Sequence, residues 1–202
     1  MVLCVRRGEY ELEIKRSRFI ATSHRIESRD EVKDVIADIK QSHKDARHVC
    51  YGFIADEKGD DFGYDDNGEP SGTAGKPIYS ALAAVAARKT LIAVVRYFGG
   101  IKLGAGGLTR AYRESAAGLI DNVGLEKCEY RPRYYVCCGG EAYKRFIGAV
   151  RSYCTVERIE YAENVECTLS VSDGAAEEFM RAAHSSGISP ALLGVKCVPI
   201  DG

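Results

Sequence analysis

The sequence lacks a long apolar run and has no excess of charge of either sign. No stretch approaches the roughly 18 apolar residues that a membrane-spanning helix needs. Lys and Arg number 28 and Asp and Glu 29, so the net charge is -1, whereas general binding to a phosphate backbone normally needs a clear basic excess. The first ten residues lack the apolar centre of a signal peptide. We therefore expect a cytoplasmic protein with no membrane partner, in which any anion site is a local patch.

The eight cysteines lack the spacings of a metal site or of a disulfide framework. There is no CxxC pair, and Cys137 and Cys138 are adjacent. Cys50, Cys167 and Cys197 lie in apolar or alternating runs, where a thiol acts as a small buried hydrophobe. We therefore expect reduced thiols and no structural metal ion.

With 202 residues and 46% hydrophobic content, the chain can form one large domain or two small ones. The segment from Asp121 to Pro132 holds Gly124, several charges and a proline. We therefore place a domain boundary in this segment and predict two domains, 1–128 and 129–202.

Hydrophobic periodicity predicts the elements of the first domain. Ser28 and Glu31 form a predicted capping box at the start of a helix whose apolar face includes Val32 and Ile36. The remaining predicted elements are an extended segment (Glu9 to Ile26), strands (Ala46 to Ala55 and Thr90 to Tyr97), a long loop (Asp56 to Gly75) and helices (Pro77 to Arg88 and Leu108 to Ile120).

The second domain shows the order β-α-β-β-α-β, which is typical of the ferredoxin-like split unit. Its clearest strand is Val165 to Val171, in which apolar and polar residues alternate. The fold class predicted for the whole chain is α+β.

Two glycine-rich turns, Gly68 to Pro77 and Phe98 to Leu108, are each followed by a predicted helix. Glycine lets a backbone approach a ligand closely, and a helix N-terminus attracts an anion through its unpaired N–H groups and its dipole. The alternative is that the glycines only allow tight turns and close packing. The predicted residues of an anion or nucleic-acid site are Arg47, Gly72, Lys76, Arg96, Gly99, Gly100, Lys102, Gly104, Gly106, Gly107 and Arg110.

Neither turn matches a nucleotide motif. Pro77 follows Gly75 and Lys76 where a P-loop needs Ser or Thr, and Thr109 stands where the dinucleotide fingerprint needs its last glycine. We therefore predict no cofactor.

Asp65, Asp66 and Glu69 form a possible acidic cluster, which could hold Mg²⁺ beside a phosphate or simply be solvated. His48 and Cys50 would lie on the same side of a strand, as a catalytic dyad or as a buried pair. No GxSxG or HExxH motif is present. We therefore assign no catalytic residue and no catalytic metal.

Four segments resemble the YigZ/IMPACT family: KRSRFIA (Lys15 to Ala21), DARHVCYGFI (Asp45 to Ile54), DDNGEPSGTAGKPI (Asp65 to Ile78) and VVRYFGGIKLGAGGLTRAY (Val94 to Tyr112). The loop from Asp56 to Gly63 does not follow the family pattern. The resemblance implies an N-terminal α/β domain like domain 2 of a small-subunit ribosomal protein, and a ferredoxin-like C-terminal domain. It also implies a link to translation, which IMPACT proteins regulate, and brings no accepted catalytic residues.

Two functions remain open. The first is a binding module that docks on RNA, the ribosome or a translation factor, with its basic residues on phosphates and Tyr97, Phe98 or Tyr112 stacked on a base. The second is an enzyme that acts on a small phosphorylated or carboxylated metabolite. We favour the first; the sequence does not assign an oligomeric state.

Overall fold

The computed structural model describes residues 1–200, which form two compact units, the first Met1–Cys128 and the second beginning at Glu129. Five helices and two sheets are present in residues 1–200, so the predicted α+β class is confirmed. In the same residues, no helix is both long and apolar enough to cross a membrane.

The elements of the first unit are β1 (Val2–Val5), β2 (Gly8–Ile14), β3 (Ser17–Arg25), α1 (Glu31–Ser42), β4 (His48–Ile54), β5 (Phe62–Asp65), α2 (Gly75–Ala84), β6 (Thr90–Tyr97), α3 (Gly104–Val123) and the first residues of β7 (Leu125–Cys138). Its antiparallel sheet has the strand order β2-β3-β6-β4-β5. The four residues of β1 pair with Leu125 to Cys128.

The central strand β6 is buried on both faces of this sheet, as its run of apolar residues predicts. Ile92 and Val94 pack on one side with α2 and α3. Leu91, Ala93 and Val95 pack on the other side with α1. The sheet therefore holds the N-terminus of α3 close to the end of β6, where the glycine-rich segment begins.

The second unit continues from β7 through α4 (Gly140–Val150), β8 (Cys154–Tyr161), β9 (Val165–Val171), α5 (Ala176–Ser185) and β10 (Ala191–Pro199). β9 lies between β7 and β8, and β10 pairs with β7. Both helices contribute to a core in which Phe146 and Phe179 meet edge to face. The elements follow the predicted order.

Several predicted element boundaries in the first unit are wrong. The predicted capping box is absent: Asp30 makes no cap hydrogen bond, and the carboxylate of Glu31 accepts from Glu27 N–H instead. The predicted loop contains β5, a short edge strand that pairs with β4. α2 begins two residues before Pro77 and ends at Ala84, just before Ala86 takes a positive φ of 52°.

The segment in which we placed the domain boundary, Asp121 to Pro132, contains the end of α3 and the first part of β7. Gly124, with a φ of 76°, ends the helix, and the chain enters the strand at once. Pro132, which has no N–H to donate, lies between the residues of β7 that pair with β1 and those that pair with β9.

Candidate anion-binding site

A cavity of about 350 Å³ lies at the N-terminus of α3. Its charged residues are Arg47, Arg96, Lys102 and Glu69, so three positive side chains face one negative side chain. The other residues that line it are His48, Pro70, Phe98, Leu103, Gly104, Ala105 and Leu108. The cavity thus combines a positive charge with an apolar wall.

The N-terminus of α3 contributes to this cavity through Gly104 and Ala105. Leu103 at the N-cap makes no side-chain cap, and the first turn contains no acidic residue. The first N–H groups of a helix have no partner within it, and they carry about half a positive charge. α3 begins at Gly104 rather than at the predicted Leu108, because the φ of Gly104 is 71° and the helix starts directly from that turn.

The other predicted turn is occupied by a carboxylate of the protein itself. Asp66 accepts hydrogen bonds from the N–H groups of Gly72, Ala74 and Gly75 at 2.7, 2.9 and 2.9 Å. These groups surround the N-terminus of α2, where an anion is most stabilised. The two turns that look alike in sequence therefore differ. The first turn of α2 already holds a carboxylate, whereas within residues 1–200 no side-chain cap is bonded to the first turn of α3.

Arg96 lies in the wall of the cavity with only 7% of its side chain exposed. Its Nη1 donates to Oε1 of Glu69 at 2.6 Å, and Glu69 is 4% exposed. The guanidinium carbon lies 5.5 Å from the ring centroid of Phe19 and 5.6 Å from that of Phe98. This arginine is therefore held in place, whereas Arg47 and Lys102 are exposed and free to adjust.

A buried chain of hydrogen bonds supports Glu69 from behind. Tyr112 donates to Oε1 of Glu69 at 2.9 Å. The sulfur of Cys50 lies 3.0 Å from the carbonyl oxygen of Asp66 and 3.4 Å from the hydroxyl oxygen of Tyr112, and its single proton can be donated to either. Burial raises the pKa of Cys50 to about 12 and raises that of Tyr112 as well. Both groups stay protonated at neutral pH, so the chain positions Glu69 and supplies no nucleophile.

His48 and Cys50 do not hydrogen-bond to each other. Nδ1 of His48 donates to the carbonyl oxygen of Asn67 at 2.9 Å, while Cys50 is fully buried with its own partners. Since a carbonyl oxygen only accepts, Nδ1 carries the proton and Nε2 holds the lone pair in the neutral ring. The arrangement is that of two separately bonded side chains, not of a nucleophile and its base.

The acidic residues of the predicted cluster each serve a different partner. Asp65 accepts from Asn67 N–H at 2.6 Å, Asp66 holds the turn before α2, and Glu69 pairs with Arg96. These carboxylates are thus engaged within the protein. The role of Asp66 as an internal anion was missed from the sequence, although an acid followed by a glycine-rich helix start is a possible signal for it.

The cavity brings together four of the predicted site residues, Arg47, Arg96, Lys102 and Gly104. Lys76 and Arg110 are exposed on α2 and α3 and do not line it. Gly99 has a packing role, since a Cβ there would lie 2.0 Å from the backbone of Arg16. The other glycines outside the lining are Gly72 and Gly100, both with positive φ, and Gly106 and Gly107 in the first turn of α3.

Neither packing nor backbone conformation in the fold requires a glycine at position 106. It lies inside α3, and a Cβ there would meet nothing within 4 Å. We expect Gly106→Ala to raise the free energy of unfolding by about 0.5–1 kcal/mol, because glycine is entropically costly in a helix. Gly104→Ala is the control, and its φ of 71° should make it destabilising. Thermal denaturation measures both; a lower Tm for Gly106→Ala would contradict the expectation.

This chain is similar in sequence and in structure to known proteins. A family model described as the Impact N-terminal domain matches residues 15–120. The IMPACT family member YvyE of Bacillus subtilis (strain 168) is 34% identical over 173 residues, 85% of this chain and 80% of that protein. The IMPACT family member YigZ of Escherichia coli (strain K12) is 41% identical over 102 residues, 50% of each chain. A crystal structure of a hypothetical protein superposes with a TM-score of 0.64 at 26% identity, over 96% of this chain and 97% of that one.

Proposed function

The chain belongs to the YigZ/IMPACT family, and from this premise we propose that it is a translation-associated protein that docks on RNA, free or within the ribosome, through the cavity at the N-terminus of α3. Family membership is consistent with a translation-related regulatory role. The observation that carries the RNA proposal is the meeting of three basic side chains and an uncapped helix N-terminus at one cavity. Such a site favours a phosphate group over the surface of a translation factor.

We further propose the finer fold assignments that the family resemblance implies. The first unit is assigned to the α/β fold of domain 2 of a small-subunit ribosomal protein. The second is assigned to the ferredoxin-like fold, which its element order and the position of β9 between β7 and β8 support.

The cavity suits single-stranded RNA because phosphate and base contacts are available side by side. Arg47 and Lys102 are exposed and can reach a backbone phosphate, while Arg96 offers a fixed charge behind them. Phe98 is 52% exposed and stacks on Arg96 with part of its surface, so a base has an aromatic side chain to stack on. Ile101, in the same glycine-rich segment, is also exposed, at 42%.

Binding of a single-stranded RNA oligonucleotide, followed by fluorescence anisotropy between 50 and 200 mM salt, tests the proposal. We expect Arg47→Ala with Lys102→Ala to weaken binding at least tenfold and to lower the salt slope by about 1.4, since each lost phosphate contact removes about 0.7. The matched control is Lys76→Ala with Arg110→Ala, which removes the same charge from exposed positions outside the cavity. Equal losses in both pairs, or absent or salt-independent binding by the unmodified protein, would overturn the proposal.

A second candidate function is an enzyme that acts on a small phosphorylated or carboxylated metabolite. The volume of the cavity favours it, because small-molecule sites commonly enclose about 300–1,000 Å³. Its proton-transfer chemistry would come from His48, because the carboxylate of Glu69 is already paired with Arg96. A metabolite screen by thermal shift, with turnover then compared between the unmodified protein and His48→Asn, separates this candidate from a binding protein.

A further inference from the structure

We propose that the cavity at the N-terminus of α3 recognises a phosphate monoester carried on a ribose, as in a ribonucleoside monophosphate or at the phosphorylated end of an RNA chain. This inference deepens the proposed RNA docking and rests on the same cavity, but it specifies which phosphate is bound. An internal phosphodiester carries one negative charge, whereas a monoester carries about 1.5 to 2 at neutral pH. Three features of the cavity favour the monoester: its net charge, Arg96 and His48.

The charge of the cavity matches a dianion. Arg47, Arg96 and Lys102 outnumber the single carboxylate of Glu69, which leaves an excess of two positive charges. The uncapped N-terminus of α3 adds about half a charge more. A single phosphodiester would neutralise less than half of this excess.

Arg96 supplies evidence for a missing partner that is independent of the helix terminus. Within residues 1–200, its buried Nε has no hydrogen-bond partner, although Nη1 is bonded to Glu69. An unpaired donor of a buried cation is costly and is rarely left so without a ligand or water. The residue is 6% exposed and lines the cavity, and we place the anion against the side of its guanidinium that faces the cavity.

His48 supplies the means to recognise a ribose. Its Nδ1 is committed to the carbonyl of Asn67, so Nε2 of the neutral ring can only accept a hydrogen bond. A phosphate monoester is mostly a dianion at physiological pH and rarely carries a proton to donate, whereas a sugar hydroxyl always carries one. His48 lines the same cavity as Arg47 and Lys102, so we assign its Nε2 to the 2′-hydroxyl of the sugar that carries the phosphate.

The apolar residues complete the match to a nucleotide. Phe98, Leu103 and Leu108 line the cavity together with Pro70. A free inorganic anion would gain nothing from these side chains, whereas a ribose and a base bury apolar surface against them. We therefore expect the nucleoside part to add affinity to the phosphate.

Isothermal titration calorimetry on the full chain tests the monoester. The probes are adenosine 5′- and 3′-monophosphate, adenosine, and one RNA oligonucleotide with a 5′-phosphate, with a 3′-phosphate or with hydroxyl ends. We expect at least one monophosphate to bind tenfold or more tightly than adenosine, and the matching phosphorylated oligonucleotide to exceed the hydroxyl-ended one by a similar factor. If the phosphorylated oligonucleotide binds more tightly than the mononucleotide, the bound phosphate is that of an RNA end. If the mononucleotide binds more tightly, the ligand is a free nucleotide.

The outcomes separate this inference from the proposed function. If phosphorylated and hydroxyl-ended oligonucleotides bind equally, and Arg47→Ala with Lys102→Ala weakens both, RNA docking stands and the monoester is overturned. If mononucleotides bind but no oligonucleotide does, the monoester stands and RNA docking is overturned. If no probe binds, both are overturned.

The ribose contact is tested with deoxyadenosine monophosphate and with His48→Asn. Asparagine keeps a donor near the Nδ1 position for the carbonyl of Asn67 but removes Nε2. The unmodified protein should prefer the ribonucleotide about fivefold, the value of one hydrogen bond of about 1 kcal/mol. His48→Asn should lose this preference and retain the preference for phosphate. The control His43→Asn, at a histidine bonded to Tyr97 outside the cavity, should keep both; equal binding of the two sugars by the unmodified protein overturns the ribose contact.

Discussion

Replacing Arg96 with alanine should lower the free energy of unfolding by about 3–5 kcal/mol, the cost typical of breaking a buried ion pair from one side. Glu69 is 4% exposed, and without Arg96 its charge would remain in the interior with only the hydroxyl of Tyr112 as a side-chain partner. The loss of packing against Phe19 and Phe98 adds to this cost. Urea denaturation followed by circular dichroism measures the change.

The double variant Arg96→Met with Glu69→Gln is the control for this expectation. It removes both charges, keeps the apolar stem of the arginine, and leaves an amide oxygen to accept from Tyr112. We expect it to recover at least half of the loss seen in Arg96→Ala, since replacing both members of a buried pair is far less costly than removing one. If the free energy of unfolding of Arg96→Ala lies within about 1 kcal/mol of that of the unmodified protein, Glu69 reaches solvent once its partner is removed.

The parts of the fold that were predicted from the sequence are those with a strong local pattern. The run from Thr90 to Tyr97 predicts a strand buried on both faces, and Leu91 and Ile92 do lie in opposite cores. The inward face predicted from Leu108, Ala111 and Tyr112 is buried as expected. The strand is defined by an unbroken run of apolar and β-branched residues, and the helix by apolar residues that recur every third or fourth position.

The errors lie where tertiary contacts decide the structure. Phe62 and Tyr64 are separated by glycine and surrounded by acidic residues, so they have the composition of a loop. They form a strand because β4 offers its free edge and Tyr79 of α2 packs against both rings. Such partners are distant in sequence, and no local pattern predicts them.

The candidate site was only partly predicted, because tertiary contacts also decide which of the two glycine-rich turns is open to a ligand. The basic residues and the glycines can be identified in the sequence. Whether a carboxylate of the protein already occupies the N–H groups of a turn depends on the folded structure. Asp66 lies nine residues before Gly75 and folds back onto the start of α2, whereas the first turn of α3 contains no acid. A nearly neutral chain can therefore have a locally positive cavity, because acidic residues such as Asp66 are hydrogen-bonded at other places in the fold.

Replacing Asp66 with alanine should lower the free energy of unfolding by about 3 kcal/mol, because three N–H groups lose a charged acceptor at once. The segment from Asp66 to Ala74 contains no helix or strand, and this carboxylate ties its two ends together. That segment also carries Glu69 and Pro70 into the cavity. We therefore expect looser binding of anions together with the loss of stability, measured by urea denaturation and by the anisotropy titration.

Asp65→Ala is the matched control, because it removes the same charge from the neighbouring residue. Asp65 is exposed and accepts one hydrogen bond, from Asn67 N–H, so its loss should cost no more than about 1 kcal/mol. Asp66→Asn should fall between the two, since its amide oxygen can still accept at the N-terminus of α2 without the charge. Equal losses for Asp65→Ala and Asp66→Ala would mean that the removed charge, and not the closing of the α2 N-terminus, accounts for the effect.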